Sequence, residues 1–339
     1  MKIIVDAMGG DNAPLAPVEG ALRAAEALGV EIILTGPEAV IRDCLTKLGK
    51  TDLPQGVEIA PASEVITMED NPARAFKDKP DSSMTVGLNL LKAKKGDAFV
   101  SAGSTGALLA GATLIVKRLK GVKRPAIGVV VPGGQQPYLL LDAGANVECR
   151  PEMLEQFGMM GSVYMQKVMG VQKPRIGLAN VGTEPHKGGE LQHAAFALLS
   201  ENKDVHFIGN IEARDIPFDA ADVVVCDGFT GNILLKMYEG VAMALMNKFK
   251  AVFKKSLKNK LAAAMVLNDM KAMKKELDYN EYGGAPILGC SKPVFKVHGS
   301  AKASTLKNAI ALTVKYAESG IISEITAALQ NEKTENTNE

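Results

Sequence analysis

Five segments of the 339-residue chain join glycine to hydroxyl, amide and charged side chains, as anion-binding loops do. They are residues 6–12 (DAMGGDN), 101–106 (SAGSTG), 180–189 (NVGTEPHKGG), 209–215 (GNIEARD) and 226–232 (CDGFTGN). Glycine lets a backbone approach an anion closely, and the first turn of a following helix offers unpaired N–H groups. Residues 104–106 and 228–232 each open a predicted helix and are therefore candidate cradles for a phosphate or an oxyanion. Ordinary helix caps favour the same residue types, so each segment alone leaves both interpretations open.

The chain lacks the common nucleotide-binding and metal-binding motifs. No two of its 33 glycines are separated by a single residue, which excludes the G-x-G-x-x-G loop of nicotinamide enzymes. Gly49, Lys50 and Thr51 resemble the end of a P-loop, but position 44, where its first glycine belongs, is Cys44. The four histidines show no H-E-x-x-H pattern. We therefore expect no metal site and no cofactor.

Covalent acyl transfer has one candidate nucleophile beside these segments. Cys226 adjoins Asp227 and has the chemistry to carry an acyl group, but a buried thiol at the end of a strand is the better explanation. The chain has no G-x-S-x-G motif, which removes the commonest serine arrangement for acyl transfer.

The composition is that of a soluble globular protein. Lys and Arg number 39 against 38 Asp and Glu, and this even balance argues against a nucleic-acid-binding protein. The four cysteines lie far apart, which favours a reducing cytoplasm. Asp6 interrupts the apolar start of the chain, so we expect no export signal. Polar residues at 101–106 divide the long uncharged stretch 98–116, so we expect no transmembrane helix.

Short apolar, β-branched runs alternate with longer helical patterns, which predicts an α/β protein with a parallel sheet between two layers of helices. The predicted strands are 2–6, 31–35, 98–101, 126–131, 138–141, 175–179, 205–208 and 222–225, and the predicted helices are 15–28, 82–94, 105–119, 151–168 and 189–199. Since ligands collect at the carboxyl ends of parallel strands, we expect the five segments to line one polar cleft. We predict a single α/β/α catalytic domain over residues 1–330, with two lobes around this cleft.

A helical pattern without strands runs from residue 232 to 277 and is expected to project from the body. Nine lysines between residues 248 and 275 face a single carboxylate, Asp269, and enclose seven consecutive apolar residues, 261–267. Such a run would place apolar side chains on every side of a helix. Burial of one helix face would not explain the apolar residues on the other sides. It fits insertion into an anionic membrane surface, and a subunit interface or a hairpin core explains it equally. The candidate membrane contacts are Leu261, Met265, Val266 and Leu267. The polar residues 331–339 predict a disordered tail.

Several motifs occur in an order and at spacings that resemble those of a known family. They are residues 6–11 (DAMGGD), 101–107 (SAGSTGA), 209–215 (GNIEARD), 227–232 (DGFTGN), 282–289 (YGGAPILG) and 298–300 (HGS). The match covers most of the chain and resembles the PlsX family, the phosphate acyltransferases of bacterial phospholipid synthesis.

The resemblance implies that acyl-[acyl-carrier protein] and inorganic phosphate are converted to acyl phosphate and free carrier protein. It also implies a homodimer, held peripherally on the inner face of the cytoplasmic membrane. The implied fold is related to those of phosphotransacetylases and the isocitrate/isopropylmalate dehydrogenases. Two alternatives stay open: a phosphotransacetylase-like enzyme that uses acyl-CoA, and a non-catalytic module that docks on membranes and binds acyl thioesters.

Such a reaction needs a held phosphate, donors for the tetrahedral oxyanion, and a proton acceptor. The candidate catalytic residues are Asp11, Glu212 or Asp227 as the general base and Asn180 and Asn232 as oxyanion donors. The candidate phosphate- or substrate-binding residues are Gly9, Gly10, Ser101, Gly103, Ser104, Thr105, Gly106, His186, Lys187, Arg214, Thr230 and Gly231. Carrier protein is generally acidic, so its attraction is a second explanation for the lysines of residues 248–275.

Overall fold

Strands and helices alternate along the first two thirds of the chain in a computed structural model that describes residues 1–335. The strands are β1 Lys2–Asp6, β2 Glu31–Gly36, β3 Val57–Pro61, β4 Ala98–Ser101, β5 Ala126–Ile127, β6 Val129–Val131, β7 Tyr138–Leu141, β8 Arg175–Asn180, β9 His206–Glu212, β10 Val223–Val225, β11 Ala285–Leu288 and β12 Val294–Lys296. The α-helices are α1 Leu15–Leu28, α2 Glu38–Lys47, α3 Ala75–Asp78, α4 Ser83–Lys92, α5 Thr105–Gly111, α6 Pro151–Tyr164, α7 Glu190–Glu201, α8 Gly228–Lys254, α9 Leu257–Met265, α10 Leu267–Glu276, α11 Ala303–Glu318 and α12 Ile321–Glu335. The predicted α/β class is confirmed.

The strands form two mixed sheets rather than one parallel sheet. The first has the order β3-β2-β1-β4-β12-β11-β5, and the second has the order β6-β7-β10-β8-β9. Strand β11 is antiparallel to both of its neighbours, and β6 is antiparallel to β7. The reason is the length of the connections. Strands β6 and β7, and likewise β11 and β12, are joined by short loops, whereas a parallel crossover needs a dozen residues or more.

Gly128 lies where the chain passes from the first sheet to the second. The pattern at 126–131 predicts one strand, but the structure divides it into β5 and β6, which belong to different sheets. The Gly128 N–H donates to the carbonyl of Pro286 at 3.0 Å. A Cβ at this position would lie 3.2 Å from Leu139 and 3.3 Å from Leu288. The glycine therefore lets the two sheets approach each other closely.

Three strands of the first sheet are absent from the sequence prediction. They are β3, β11 and β12, of five, four and three residues. Pro61 ends the first and Pro286 lies within the second, and proline inside a short apolar run argues against a strand. Strand β12 nevertheless lies in the interior of the sheet, between β4 and β11, and carries a residue into the site described below.

The long helical pattern is interrupted twice. Helix α8 starts at Gly228, within the segment 228–232 that was expected to open a helix, and the chain leaves the helical path at Ser256, which caps α9, and again at Val266. The apolar run 261–267 therefore spans the end of α9, the break at Val266 and the first residue of α10, and is not one continuous helix. None of the described residues of α9 and α10 is buried. Across the described part of the chain, no helix combines the length and the apolar character needed to cross a bilayer.

Helix α12 reaches further than the sequence suggests. It continues to Glu335, so residues 331–335 of the expected disordered tail are helical. Residues 336–339 of that tail lie outside the described residues.

Candidate functional site

A cavity of about 550 Å³ lies where the ends of β12 and β1 in the first sheet face the start of α8. Its polar lining residues include Asp11, Thr105, Asn232, Lys296 and His298. Its apolar lining residues include Met68, Ile127, Val129, Val147 and Leu235, together with the ring of Tyr282. A ligand with both an anionic group and an apolar group matches this mixed lining.

Asp6 and Ser101 join the loops that follow β1 and β4. The Ser101 hydroxyl donates to Asp6 Oδ2 at 2.6 Å, and the Gly103 N–H donates to Ser101 Oγ at 3.0 Å. The Met8 N–H donates to the other carboxylate oxygen of Asp6. Burial raises the pKa of Asp6, and these hydrogen bonds oppose the rise. Ser101, a candidate phosphate ligand by sequence, is buried and places its hydroxyl on Asp6.

Gly9 and Gly10 lie too close to neighbouring atoms for any side chain. A Cβ on Gly9 would lie 2.6 Å from both Asp6 Oδ2 and the Gly103 nitrogen. Gly10 has a φ of +101°, and a Cβ there would lie 2.9 Å from the Gly299 carbonyl. The loop after β1 is thereby pressed against the loops after β4 and β12.

The next two residues complete this contact and bring Asp11 to the cavity. The Asp11 N–H donates to the Gly299 carbonyl at 2.8 Å, and Asp11 lines the cavity. The Asn12 amide donates to the carbonyls of Ser300 and Ala301. Asp11 is therefore held beside the segment that follows β12.

Residues 104–106 form the start of α5. Ser104 caps the helix by accepting from the Ala107 N–H at 3.4 Å, while Thr105 lines the cavity. A Cβ on Gly106 would lie 2.9 Å from Pro72, so this glycine allows the chain before α3 to pack on the helix start.

The sequence prediction missed Lys296, the last residue of β12. Its ammonium group donates to the carbonyls of Ala102 at 3.1 Å and Val297 at 2.5 Å, and it lines the cavity. Burial lowers the pKa of Lys296 to about 8, against the opposing charges of Asp6 and Asp11. The signal available in the sequence was a lysine just before the 298–300 motif, at the end of a strand too short to recognise.

Asp142, which follows β7, is a second residue that the sequence prediction missed. It is fully buried and accepts from the N–H groups of Ile127, Gly144, Ala145 and Asn146 and from the Asn146 amide. Burial raises its pKa, and these donors oppose the rise. Asp142 thus connects the crossing between the sheets to the loop 143–147, which lines part of the cavity.

The first turn of α8 packs on this same loop. The Gly228 N–H donates to the Asn146 carbonyl at 2.7 Å, and a Cβ on Gly231 would lie only 1.9 Å from the Asp142 carbonyl oxygen. Asp227 caps the helix: one carboxylate oxygen accepts from the Thr230 N–H and the other from the Thr230 hydroxyl, both at 2.8 Å. Asn232, one turn further on, lines the cavity.

The loops after β8 and β9 lie elsewhere. Neither contributes to the lining of the cavity described above. The Asn180 amide at the end of β8 donates to the Lys187 carbonyl of the loop that follows, and the Asn210 amide of β9 donates to the Glu184 carbonyl of the same loop, each at 2.9 Å. The expectation that all five segments line one cleft is therefore met by only three of them.

The side chains that these two loops contribute are engaged locally or exposed. Glu212 pairs with Arg214 at 2.9 Å, and Arg214 is 78% exposed. The His186 carbonyl accepts from a ring nitrogen of His193, and both His186 and Lys187 are exposed.

Cys226 lies beneath the start of α8. Its thiol is buried and donates to the Asp142 carbonyl, and burial raises its pKa well above that of an ordinary cysteine. A buried thiol of this kind is a poor nucleophile. In residues 1–335, no three His, Cys, Asp or Glu side chains are grouped so as to hold a metal ion.

Comparison with known proteins identifies the family. The family model described as "Fatty acid synthesis protein" matches residues 1–324. The chain belongs to this family. It is 50% identical to a protein of Acetivibrio thermocellus named "Phosphate acyltransferase", over 99% of this chain and 98% of that one. A protein of Brevibacillus brevis with the same name is 45% identical, over 97% of this chain and 98% of that one. The resemblance to the PlsX family is confirmed.

Solved structures show which fold the family shares. A phosphotransacetylase from Streptococcus pyogenes superimposes with a TM-score of 0.61 at 19% identity, over 94% of each chain. A branched-chain phosphotransacylase from Enterococcus faecalis gives a TM-score of 0.54 at 14% identity, over 93% of this chain and 99% of that one. The fold of this family member is thus similar to that of the phosphotransacetylases.

Proposed function

We propose that this protein is an acyltransferase that converts acyl-[acyl-carrier protein] and inorganic phosphate to acyl phosphate and free carrier protein, for phospholipid synthesis. Membership of the family and the names of relatives up to 50% identical support the reaction class. The observation that carries the proposal is the cavity, because a cation and polar groups line it together with apolar residues suited to a fatty-acyl chain.

The chemistry asks the protein mainly to position its substrates. A phosphate oxygen attacks the thioester carbonyl carbon, the C–S bond breaks, and the carrier thiolate leaves and takes up a proton. Holding the two reactants in line contributes up to about 7–11 kcal/mol through proximity. The Asn232 amide is our donor for the tetrahedral oxyanion, and one such donor contributes about 2.7–4 kcal/mol.

Asp11 is the strongest of the three candidates for the general base. It lines the cavity, whereas both oxygens of Asp227 accept from Thr230 and Glu212 is paired with Arg214 outside the cavity. A base must reach the proton it removes, so location favours Asp11.

We propose that α8 forms a homodimer interface. Ile233, Met237, Val241 and Leu245 are all exposed, and their spacing of four residues places them along one side of the helix. A contiguous apolar surface of this kind marks an interaction site in a protein of otherwise ordinary composition. A second copy of the same helix would cover it.

We propose that the apolar run 261–267 inserts into the cytoplasmic face of an anionic membrane. Met265 is 85% exposed and Leu261 65% exposed, and both lie among the lysines of residues 248–275. Each lysine near an anionic surface contributes about 1 kcal/mol, and exposed apolar side chains add their transfer from water.

A phosphate-trapping assay tests the reaction. Purified protein is mixed with inorganic phosphate and either acyl-[acyl-carrier protein] or acyl-CoA, and acyl phosphate is trapped with hydroxylamine while thiol release is followed. Equal amounts of hydroxamate and thiol from the carrier-protein thioester support the proposal. Product from acyl-CoA alone would instead favour a phosphotransacetylase-like enzyme, and no product from either would favour a non-catalytic module.

A further inference from the structure

Phosphate binding at the cavity needs a cation, and the two cations expected from the sequence do not lie there. Lys187 and Arg214 belong to the loops after β8 and β9, outside the cavity lining. Two lysines do line the cavity, Lys236 on α8 and Lys296 on β12. Lys236 is exposed, whereas Lys296 is half-buried in the first sheet.

The ammonium group of Lys296 is held in place with part of its hydrogen-bonding capacity unused. An ammonium has three N–H donors, and two of them go to the carbonyls of Ala102 and Val297. Among residues 1–335, no carboxylate forms an ion pair with it. One donor and a full positive charge therefore remain for a ligand in the cavity.

The negative charges of Asp6 and Asp11 favour the charged form of Lys296, but neither carboxylate forms an ion pair with it. Asp6, the last residue of β1, accepts from the Ser101 hydroxyl and the Met8 N–H, and Asp11 lies on the loop that follows β1. The other titratable groups that line the same cavity are Lys236 and Glu239 of α8, Tyr282, and His298. Ala102, one of the two carbonyl partners of Lys296, directly precedes the glycine loop 103–106. Thr105 of that loop lines the cavity together with Lys296, so the cation and the start of α5 face the same space.

We infer that Lys296 is the phosphate-binding cation of the reaction: it holds one oxygen of inorganic phosphate during attack and of the acyl phosphate afterwards. This inference rests on the proposed function and deepens it, by replacing the exposed Lys187 and Arg214 with a residue inside the cavity. A hydrogen bond from a charged donor to phosphate changes affinity by about 10- to 100-fold.

The protonation state of Lys296 gives the inference a distinct pH signature. Because burial lowers its pKa to about 8, the charged form that binds phosphate predominates below that pH and is lost above it. The apparent affinity for phosphate should fall as the pH rises through about 8, a range in which inorganic phosphate itself stays dianionic. An arginine at this position keeps its charge and should abolish the fall.

Three variants test the inference. Lys296→Met removes the charge at similar length, Lys296→Arg keeps the charge, and Lys292→Met is a control outside the cavity lining. We expect Lys296→Met to raise the KM for phosphate at least tenfold with little change in the KM for the acyl thioester, and Lys292→Met to match the wild type. Lys296→Arg should recover part of the phosphate affinity and show no fall above pH 8.

The outcomes separate this inference from the proposed function. An unchanged phosphate KM in folded Lys296→Met would overturn the role of Lys296 while leaving the reaction intact. If Lys296→Met does not fold, a wild-type phosphate KM that stays flat from about pH 7.5 to 9.5 overturns it instead. If the wild type forms no acyl phosphate, the proposed function fails. The ³¹P line broadening of inorganic phosphate, compared between wild type and Lys296→Met, then still decides whether Lys296 binds the anion.

Discussion

The wall of the cavity and the helices α8–α10 differ in how completely their side chains find hydrogen-bond or packing partners within one chain. In the wall, Asp6 and Asp142 are buried with several N–H or O–H donors each, and glycines bring the backbones into contact. Beyond its first turn, α8 leaves the apolar stripe Ile233, Met237, Val241 and Leu245 exposed, and none of the described residues of α9 and α10 is buried. The buried groups of the wall find their partners within one chain, whereas the helices present apolar side chains that the described residues do not cover.

The largest effect is expected where the two regions meet, at Gly231. An alanine there would place its Cβ 1.9 Å from the Asp142 carbonyl, so the first turn of α8 must move away from the loop 143–147. We expect Gly231→Ala to lower the free energy of unfolding by at least about 2 kcal/mol and to abolish most activity, as measured by chemical denaturation and the hydroxamate assay.

Gly240→Ala is the matched control for this prediction, because the same helix has open space around Gly240. It should stabilise the protein by up to about 1 kcal/mol, since alanine is the better helix former. If Gly231→Ala were as stable and as active as Gly240→Ala, close packing at the start of α8 would not be what forms the site.

The next effect concerns the exposed stripe of α8. Met237→Glu places a charge in the middle of the stripe and should convert the proposed dimer into a monomer, as measured by light scattering after gel filtration. Met243→Glu adds the same charge to the same helix away from the stripe, at an equal exposure of 64%. Equal behaviour of the two variants would show that this stripe is not the subunit interface.

A third, smaller effect concerns the apolar run 261–267. Val266→Glu with Leu267→Glu should reduce sedimentation with anionic liposomes by roughly tenfold or more, while turnover of soluble acyl-[acyl-carrier protein] stays near the wild-type rate. Asn247→Glu with Asn268→Glu adds the same charge outside the apolar run and should weaken sedimentation less. If the variant lost both turnover and liposome binding, the apolar run 261–267 would have a structural role instead.

The smallest effect is expected at Cys226. Its thiol is buried beneath α8 and its pKa is raised, so it belongs to the wall and not to the chemistry. Cys226→Ala should keep turnover within about twofold and cost about 1 kcal/mol of stability. A folded Cys226→Ala variant without turnover would instead indicate a covalent acyl-enzyme.

The sequence predicted the elements whose apolar patterns are long and continuous. Strands β1, β4 and β7 and helix α1 have the predicted bounds, because their buried positions repeat without interruption. Strand β12 escaped prediction because three residues after a proline carry no periodicity, and Lys296 was missed with it.

The spatial order of the strands explains why two predicted loops are not in the cavity. A single sequence indicates that loops follow strands, but not which strands are neighbours. In the second sheet, β8 and β9 lie beyond β10, away from β6 and β7, and the loop after β8 contacts Asn210 of β9 at that side of the sheet. The sequence shows Asp142 as an acidic residue after a predicted strand. Its five hydrogen-bond donors lie between Ile127 and Asn146, and only the folded chain shows that they converge on this carboxylate.

A crystal structure with a non-hydrolysable acyl phosphonate tests the central claim most directly. We predict that the phosphonate lies within hydrogen-bonding distance of the Lys296 ammonium group and near Thr105 and Asn232, with the acyl chain along Ile127 and Val129. A phosphonate bound by Lys187 and Arg214 instead, with the cavity empty, would contradict the account.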